Sequence, residues 1–442
     1  MLVEPETKEF LLSKSVVSKL VSAGFRAMLV GGCVRDMLLG RVPHDFDLVT
    51  TATPEELAAA FPGQCQLVGA SFGVSLVKAD GVSLEVATAR EERNYLDGRH
   101  PECVRYTDDL GVDAARRDFT VNALLYDPVK GEVVDHVGGV ADLEKGIIRC
   151  VGEAERRFSE DYLRMLRAVR FAGRFGFELE AETRAALDKL APKCAQLSGE
   201  RVREEMSKIL CTPRAAESLK LMLDTGLLAA VLPEVAALAG VEQPPQFHPE
   251  GDVFEHTCLM LENMVLPAVN LAWSVLLHDV GKAACFVRDE TGRIRFFGHE
   301  SVGAEMAAKV LDRLRFSVAD KERIVAAVRN HMRFASVREM KSSKLLRMLA
   351  DDNFALELEL HRLDCLSCHG KMECFVYLID QLRVIPDAKL PPPLVLGRDL
   401  VGAGAKPSPR FGKVLHEVYE RQLAGEHADR EAALQAALKL LE

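Results

Sequence analysis

An apolar stretch ending in Leu29-Val30 runs directly into Gly31-Gly32, a helix-like Cys33-Val34-Arg35-Asp36-Met37-Leu38-Leu39-Gly40 and, soon after, Asp45-Phe46-Asp47. No other part of the chain limits the fold as much, because this order demands a strand, a glycine turn, a helix start and a second strand in close succession. Side chains alternate faces along a strand, so Asp45 and Asp47 are expected on one side of a strand at 44–49, with Phe46 and Leu48 on the other. Two carboxylates on one face suit a magnesium ion. The glycine pair lets backbone N–H groups approach a phosphate at a helix N-terminus, where the dipole favours negative charge, and Arg35 adds a fixed cation. Together these parts suit nucleotidyl transfer from a Mg-bound triphosphate. Taken singly they are weak, since Gly-Gly before a helix is common and D-x-D is often a solvated strand end.

The ordered stretch resembles the first motif of the class II tRNA nucleotidyltransferase and bacterial poly(A) polymerase family. That resemblance implies a five-stranded nucleotidyltransferase head with Asp45 and Asp47 as metal ligands, and nucleotide contacts from Gly31, Gly32, Arg35 and Asp36. Ala115-Arg116-Arg117-Asp118-Phe119-Thr120-Val121-Asn122-Ala123 resembles the second motif of the same family. It implies that Arg117 and Asp118, with Asn122, hold the ribose and triphosphate of the incoming nucleotide. The chemistry agrees, because a carboxylate accepts from ribose hydroxyls and a guanidinium fork pairs with phosphate oxygens. Between the two motifs, Tyr95-Leu96-Asp97-Gly98-Arg99-His100-Pro101 resembles the mobile loop of the family.

Glu160-Asp161-Tyr162-Leu163-Arg164 resembles the E-D-x-x-R motif, which in this family serves as an amino-acid template for the base. Asp161 and Arg164 are three apart and are expected as neighbours on one helix face. A carboxylate accepts from the exocyclic amino group that cytosine and adenine share, while a guanidinium donates to the adjacent ring nitrogen. Uracil and guanine present the opposite pattern, at a cost of about 1–3 kcal/mol for each group left unpaired. Without the family, an Asp and an Arg at this spacing are ordinarily a helix salt bridge. Arg167 and Arg170 continue the implied nucleotide face and Arg174 the RNA-binding face; Arg164, Arg167, Arg170 and Arg174 fall within about a third of a helix circumference. Such a stripe meets phosphates or pairs with neighbouring acids.

Farther along stand His256, then His278-Asp279-Val280-Gly281-Lys282, then His299, His331 and Asp364. This order resembles the HD superfamily of metal-dependent phosphohydrolases. It implies a site of His256, His278, Asp279 and Asp364, with His299 and His331 allowing a second ion. Imidazoles and carboxylates suit a divalent transition metal such as Mn, Ni, Co or Fe. The implied chemistry is hydrolysis of phosphate esters, including 2′,3′-cyclic phosphates or a 3′-phosphate on damaged RNA. Cys365-Leu366-Ser367-Cys368-His369 looks like a haem attachment site or half a zinc site, and is better explained as the helix that carries Asp364.

At 442 residues the chain is too long for one ordinary core. An α/β nucleotidyltransferase head, a small mixed sheet with helices, is expected over 1–148. An all-α neck follows over 149–212, an HD domain over 245–370 and a helical tail over 371–442. Within the head, 25–30, 74–79 and 82–88 read as strands, with Asp80-Gly81 as a hairpin turn. Thr53-Pro54-Glu55-Glu56 reads as a capped helix start. A hairpin at 285–297 is the one strand signal beyond about residue 150. Tail segments Gly397-Arg398-Asp399-Leu400 and Pro407-Ser408-Pro409 also resemble the family, with Ser408 in place of a glycine. No apolar run is long enough to span a bilayer and the N-terminus has acids where a signal peptide needs bases, so a cytoplasmic location is expected. Eleven cysteines in such a chain read as buried thiols.

The net charge of −10 argues against indiscriminate nucleic-acid binding. These readings lead to a CTP(ATP):tRNA nucleotidyltransferase that builds or repairs the 3′-CCA end with Mg2+ in the head. Its partners would be the tRNA 3′ end, CTP and ATP, with no membrane and no obligate protein partner evident. Glu85 is a further candidate carboxylate that spacing alone does not place. A terminal A-adding enzyme or a poly(A) polymerase shares the same motifs, and an HD phosphohydrolase with an inactive head is the more remote alternative.

Overall fold

The computed structural model describes residues 2–69, 73–79, 81–95, 101–246, 248–384, 389–427 and 429–441. The chain divides into two compact units, Met1–Ala236 and Ala237–Glu442. The first opens with the helix Lys8–Ser22, whose buried Phe10, Val16, Val17 and Leu20 follow a helical period. That face packs on the strands Ala27–Val30 and Val82–Thr88 of a seven-stranded sheet. In spatial order the sheet runs Cys65–Gly69, Val74–Ala79, Val82–Thr88, Asp47–Thr50, Ala27–Val30, Leu125–Asp127 and Glu132–Val134. Only Asp47–Thr50 and Val82–Thr88 are parallel, so the sheet is mixed as expected.

Seven strands replace the five implied by resemblance. The two outermost explain the difference, because edge strands bury little and carry no clean alternation: Leu67 and Val68 are exposed, and Glu132–Val134 has only three residues. A second departure touches the site. The strand expected at 44–49 starts at Asp47, so Asp45 lies in the approach to it, although Phe46 and Leu48 are still buried while Asp45 and Asp47 are exposed. The Thr53 capping box forms, with the Glu56 N–H donating to Thr53 Oγ1 at 3.3 Å and the Thr53 N–H to Glu56 Oε2 at 2.8 Å. A separate hairpin pairs Arg90–Tyr95 with Pro101–Tyr106. The centre of the expected mobile loop, 96–100, lies outside the described residues, as does Asp80 of the expected hairpin turn.

Helices Ala154–Glu160, Leu163–Phe175, Ala181–Leu190, Gly199–Leu210 and Ala215–Asp224 complete most of the first unit. The arginine stripe forms on Leu163–Phe175, but each member already has an acid. Arg164 pairs with Glu160 at 2.7 Å, Arg167 with Asp118 at 2.7 Å, Arg170 with Glu205 at 2.6 Å and Arg174 with Asp36 at 3.5 Å. The stripe therefore joins this helix to the sheet-bearing part of the unit and to Gly199–Leu210. Among its described residues the second unit has, besides helices, the small hairpin Val287–Arg288 with Ile294–Arg295, which falls inside the expected 285–297. Cys258, Cys285, Cys365, Cys368 and Cys374 of this unit are free thiols, as are Cys33, Cys65, Cys150, Cys194 and Cys211 of the first.

Asp118 is buried, and the Arg167 guanidinium, the Asn122 amide and the Phe119 N–H outweigh the cost of burying its charge, lowering its pKa from the usual 3.8 to about 2. A depressed carboxylate stabilises the fold fully above its unfolded value and loses that contribution as pH falls through the folded value. Asp118→Asn should therefore lower the unfolding free energy of the first unit by about 2 kcal/mol near neutrality. The gap to wild type should close between about pH 4 and pH 2, as followed by denaturant titrations across that range.

Candidate active site and metal centre

Gly31 adopts φ +80° and caps the short helix Gly32–Leu38. A side chain there would be strained, and its Cβ would lie 3.1 Å from Arg117 Nη1. One turn on, Arg35 is almost fully buried; its Nε and Nη2 donate to Asp36 Oδ1 at 2.9 and 2.7 Å and its Nη1 to Asn122 Oδ1. Asn122 in turn donates to Asp118 Oδ1 at 3.1 Å, and Asp118 Oδ2 accepts from Arg167 Nε at 2.8 Å. Five residues singled out in the sequence, Asp36, Arg35, Asn122, Asp118 and Arg167, thus form one continuous polar chain. The guanidinium of Arg35 also lies over the rings of Phe175 and Phe171, at 4.5 and 5.3 Å.

The carboxylates gather on the sheet. Parallel pairing sets Asp47 in register with Glu85, and Asp45, Asp47 and Glu85 line one cavity together with Glu9. Partial withdrawal from water and the facing Glu85 push the Asp47 pKa up to about 6, against the pull of Arg117. Crowded oxygens of this kind fit a hard divalent cation. The sequence could not place Glu85 because parallel register depends on a crossover, and Glu9 gave no signal at all.

Asp161 and Arg164 are not neighbours on one helix. Asp161 ends Ala154–Glu160 in extended backbone (φ −155°, ψ 107°), because its Oδ1 accepts from the Leu163 N–H and starts the next helix. Both its oxygens receive Arg201, at 3.1 and 2.8 Å, while Arg164 Nη1 donates to Glu160 Oε2 and to the Arg157 carbonyl. Arg201 and Glu205, which hold Asp161 and Arg170, were missed; they sit four apart on Gly199–Leu210 and only their partners reveal them.

In the second unit His256, His278, Asp279, His299, His331 and Asp364 converge. His256 Nε2 lies 3.1 Å from Asp364 Oδ1, and Asp279 Oδ1 lies 3.4 Å from His299 Nε2 and 3.6 Å from His331 Nε2. All four imidazoles are held alike through Nδ1. His256 is held by Glu250 Oε1 at 2.7 Å, His278 by the Val275 carbonyl at 2.8 Å, His299 by the Phe296 carbonyl at 2.8 Å and His331 by the Val328 carbonyl at 2.6 Å. A carbonyl accepts only, so in the latter three Nδ1 carries a proton and Nε2 is the nitrogen left to face the cluster. Burial keeps His331 neutral, with its pKa lowered to about 4, whereas the carboxylates of Asp364 and Glu250 overcome burial at His256 and raise it to about 9.

His299 Nε2 and His331 Nε2 face each other at 3.2 Å, and His256 Nε2, His278 Nε2 and Asp279 Oδ1 are buried with ion-pair neighbours but no well-directed hydrogen bond. Such a set of orphaned donor atoms fits a divalent metal, and Asp279–His299–His331 and His256–His278–Asp279 each lie close enough to share an ion. Lys282 Nζ, 2.7 Å from Asp279 Oδ2, balances part of the charge. At Gly281 a Cβ would fall 2.2 Å from the His299 carbonyl oxygen and 2.6 Å from the Gly303 N, so main chain touches main chain beside the ligands. The helix Phe354–Ser367 carries Asp364, as expected for the Cys365–His369 segment; Cys365 Sγ sits against His361 instead of facing a second cysteine pair.

An α/β head with a carboxylate cavity, a helical continuation and a separate imidazole-rich helical unit define a nucleotidyltransferase head coupled to an HD domain. Residues 27–149 match the family model described as the poly A polymerase head domain, 176–238 that of the probable RNA and SrmB-binding site of polymerase A, and 253–355 the HD domain. The first unit therefore carries a domain similar to the poly A polymerase head, and the second carries an HD domain. Similar curated proteins include the CCA-adding enzymes of Leuconostoc mesenteroides, 44% identical over 49% of this chain and 53% of that protein, and of Geobacillus thermodenitrificans, 44% identical over 51% and 55%. The chain thus spans about half the length of these relatives. Among solved structures, that of a Bacillus stearothermophilus CCA-adding enzyme in complex with CTP has a TM-score of 0.76 at 27% identity and covers 98% of both chains. A Thermotoga maritima CCA-adding enzyme complexed with tRNA shares the fold, with a TM-score of 0.64 at 20% identity over 99% of this chain and 97% of that one. Among the described residues no helix is long and apolar enough to cross a membrane.

If the imidazole cluster takes a metal, Mn2+, Co2+ or Ni2+ at a hundred times its dissociation constant should stabilise the second unit by about 2.7 kcal/mol. The shift should vanish in His278→Ala and on adding a chelator. Thermal unfolding with and without each ion gives the result, and an unchanged melt in every ion would exclude the site.

Proposed function

We propose that the chain is a CTP(ATP):tRNA nucleotidyltransferase that adds or repairs the 3′-terminal CCA. The observation that carries this reading is that Arg117 stands both near the Asp47 carboxylate, which is in register with Glu85, and against the Gly31 turn, one turn from which the Arg35–Asn122–Asp118–Arg167 chain begins. Asp45 and Asp47, with Glu85 beside them, would hold Mg2+, which when bound activates the RNA 3′-hydroxyl and steadies the departing pyrophosphate. The 3′ oxygen bonds to the α-phosphorus as the bond to pyrophosphate breaks. Gly31, Gly32 and Arg117 would receive the triphosphate, and Asp118 with Asn122 the ribose. Arg35 and Asp36 would support them from below, and Arg167 and Arg170 from the neighbouring helix.

Asp161 and Arg164 would read the base, with Arg201 holding the Asp161 carboxylate in position. RNA contact would fall to Arg174 and the helical segments beyond it, and the nucleotide and tRNA substrates agree with a cytoplasmic location. The domain limits proposed from the sequence, 1–148, 149–212, 245–370 and 371–442, are kept for this reading.

A second activity is favoured by the four inward imidazoles: metal-dependent hydrolysis of a phosphate ester in the HD unit, held by His256, His278, Asp279 and Asp364 with His299 and His331. Water would add to phosphorus as the ester P–O bond breaks, releasing the alcohol and phosphate.

Extension of tRNAs lacking CCA, with each NTP alone and mixed, tests the transferase. CTP plus ATP should complete CCA and then stop. Addition only to a tRNA ending in CC would indicate an A-adding enzyme, and long A tails on unrelated RNA a poly(A) polymerase. Asp45→Ala or Asp47→Ala should lower incorporation by roughly 1,000-fold while sparing hydrolysis, and His278→Ala should do the reverse. Asp161→Ala should relax rejection of UTP and GTP by roughly 10- to 100-fold, read as the ratio of kcat/KM values.

A further inference from the structure

One wall of the HD cavity has no part in holding a metal. Besides the imidazoles, Pro244, Ile294, Phe296, Phe297 and Met332 line the same space. The adjacent phenylalanines are used differently. Phe296 packs against Phe286 and lends its carbonyl to His299, whereas Phe297 is 71% exposed and Met332 49% exposed. Large apolar groups left in water at the edge of a polar cavity mark a surface that a ligand covers. Arg295 stands beside the ring, its guanidinium 5.7 Å from the Phe297 centroid, and Lys282 also lines the cavity.

An exposed aromatic flanked by arginine, within a cavity that also presents cations and metal ligands, matches a ligand with two ends: one flat and apolar, one anionic. A bare phosphate or a sugar phosphate has no use for the apolar wall. We propose that the HD cavity takes a nucleoside phosphate ester, with Phe297 as the platform on which the base stacks while the phosphate lies against the imidazole cluster. This rests on the phosphohydrolase reading of that unit. The platform is coupled to the metal centre through the chain itself, because Arg295, Phe296 and Phe297 lead directly into Gly298 and His299. The same chemistry is offered by a free mononucleotide and by the last nucleotide of an RNA.

The test uses the full chain, Phe297→Ala and Phe297→Tyr, with Mn2+ added. Phosphate release is measured from adenosine 5′-monophosphate, from ribose 5-phosphate and from short RNAs with a 3′-phosphate whose last position is adenosine or abasic. Phe297→Ala should cut kcat/KM for the base-bearing ester about tenfold, leave ribose 5-phosphate unchanged and be rescued by Phe297→Tyr. A base-dependent loss with RNA alone assigns the platform to RNA ends, and with the mononucleotide alone to free nucleotides. Equal losses on esters with and without a base, or no loss on any, overturn the proposal.

Quenching of 2-aminopurine riboside 5′-monophosphate fluorescence by metal-free protein supplies a second readout, expected to fall in Phe297→Ala. If the wild type hydrolyses nothing but Phe297-dependent quenching persists, the phosphohydrolase reading fails and the platform stands. If hydrolysis occurs with no dependence on the base and quenching is the same in both proteins, the platform fails and the phosphohydrolase stands.

Discussion

Arg35 is a guanidinium with almost no access to water, and burying such a charge is tolerated only when it is fully surrounded by partners. Its partners come from several places in the sequence: Asp36 beside it, Asn122 from the short turn Thr120–Asn122, and the rings of Phe171 and Phe175 from the helix Leu163–Phe175. Removing one would leave a buried ion uncompensated, at a cost of about 3–5 kcal/mol. The requirement to satisfy one cation therefore draws the glycine turn, the second motif and the following helix together. The polar groups around that turn are arranged as a consequence of the fold's own electrostatic needs.

The two units approach divalent ions by opposite routes. In the head, carboxylates are crowded on neighbouring parallel strands, and burial together with their mutual repulsion raises the Asp47 pKa. In the second unit the cluster is built mostly of imidazoles, each aimed by an acceptor on its Nδ1. The two clusters thus differ in donor chemistry, crowded hard oxygens in one and imidazole nitrogens in the other, and each suits a divalent ion of a different kind.

Much of this was legible in the residues. Glycine at the turn, the capped helix at Thr53, the mixed head sheet and the order His256, His278-Asp279, His299, His331, Asp364 are local or ordered signals, and each corresponds to what the structure contains. What escaped was non-local. Glu85 meets Asp47 only through parallel register, Arg201 meets Asp161 across forty residues, and Glu250 reaches both His248 and His256 from a loop without periodicity. The helix-face reading of Asp161 failed for a different reason: a side chain that can accept from the N–H two residues on competes with the helix it was assumed to continue. The arginine stripe was correctly placed on a helix, but periodicity says nothing of who stands opposite, and here acids do.

The contact at Gly281, where the main chain of the His278-Asp279 turn rests on that of His299 and Gly303, separates the dimensions of the cage from the identity of its ligands. Spacing between the two ligand-bearing segments is set by backbone atoms that every residue shares. A change of side chain at these positions would therefore alter reach and donor chemistry within a frame whose backbone separation is already fixed, so the two properties can vary independently.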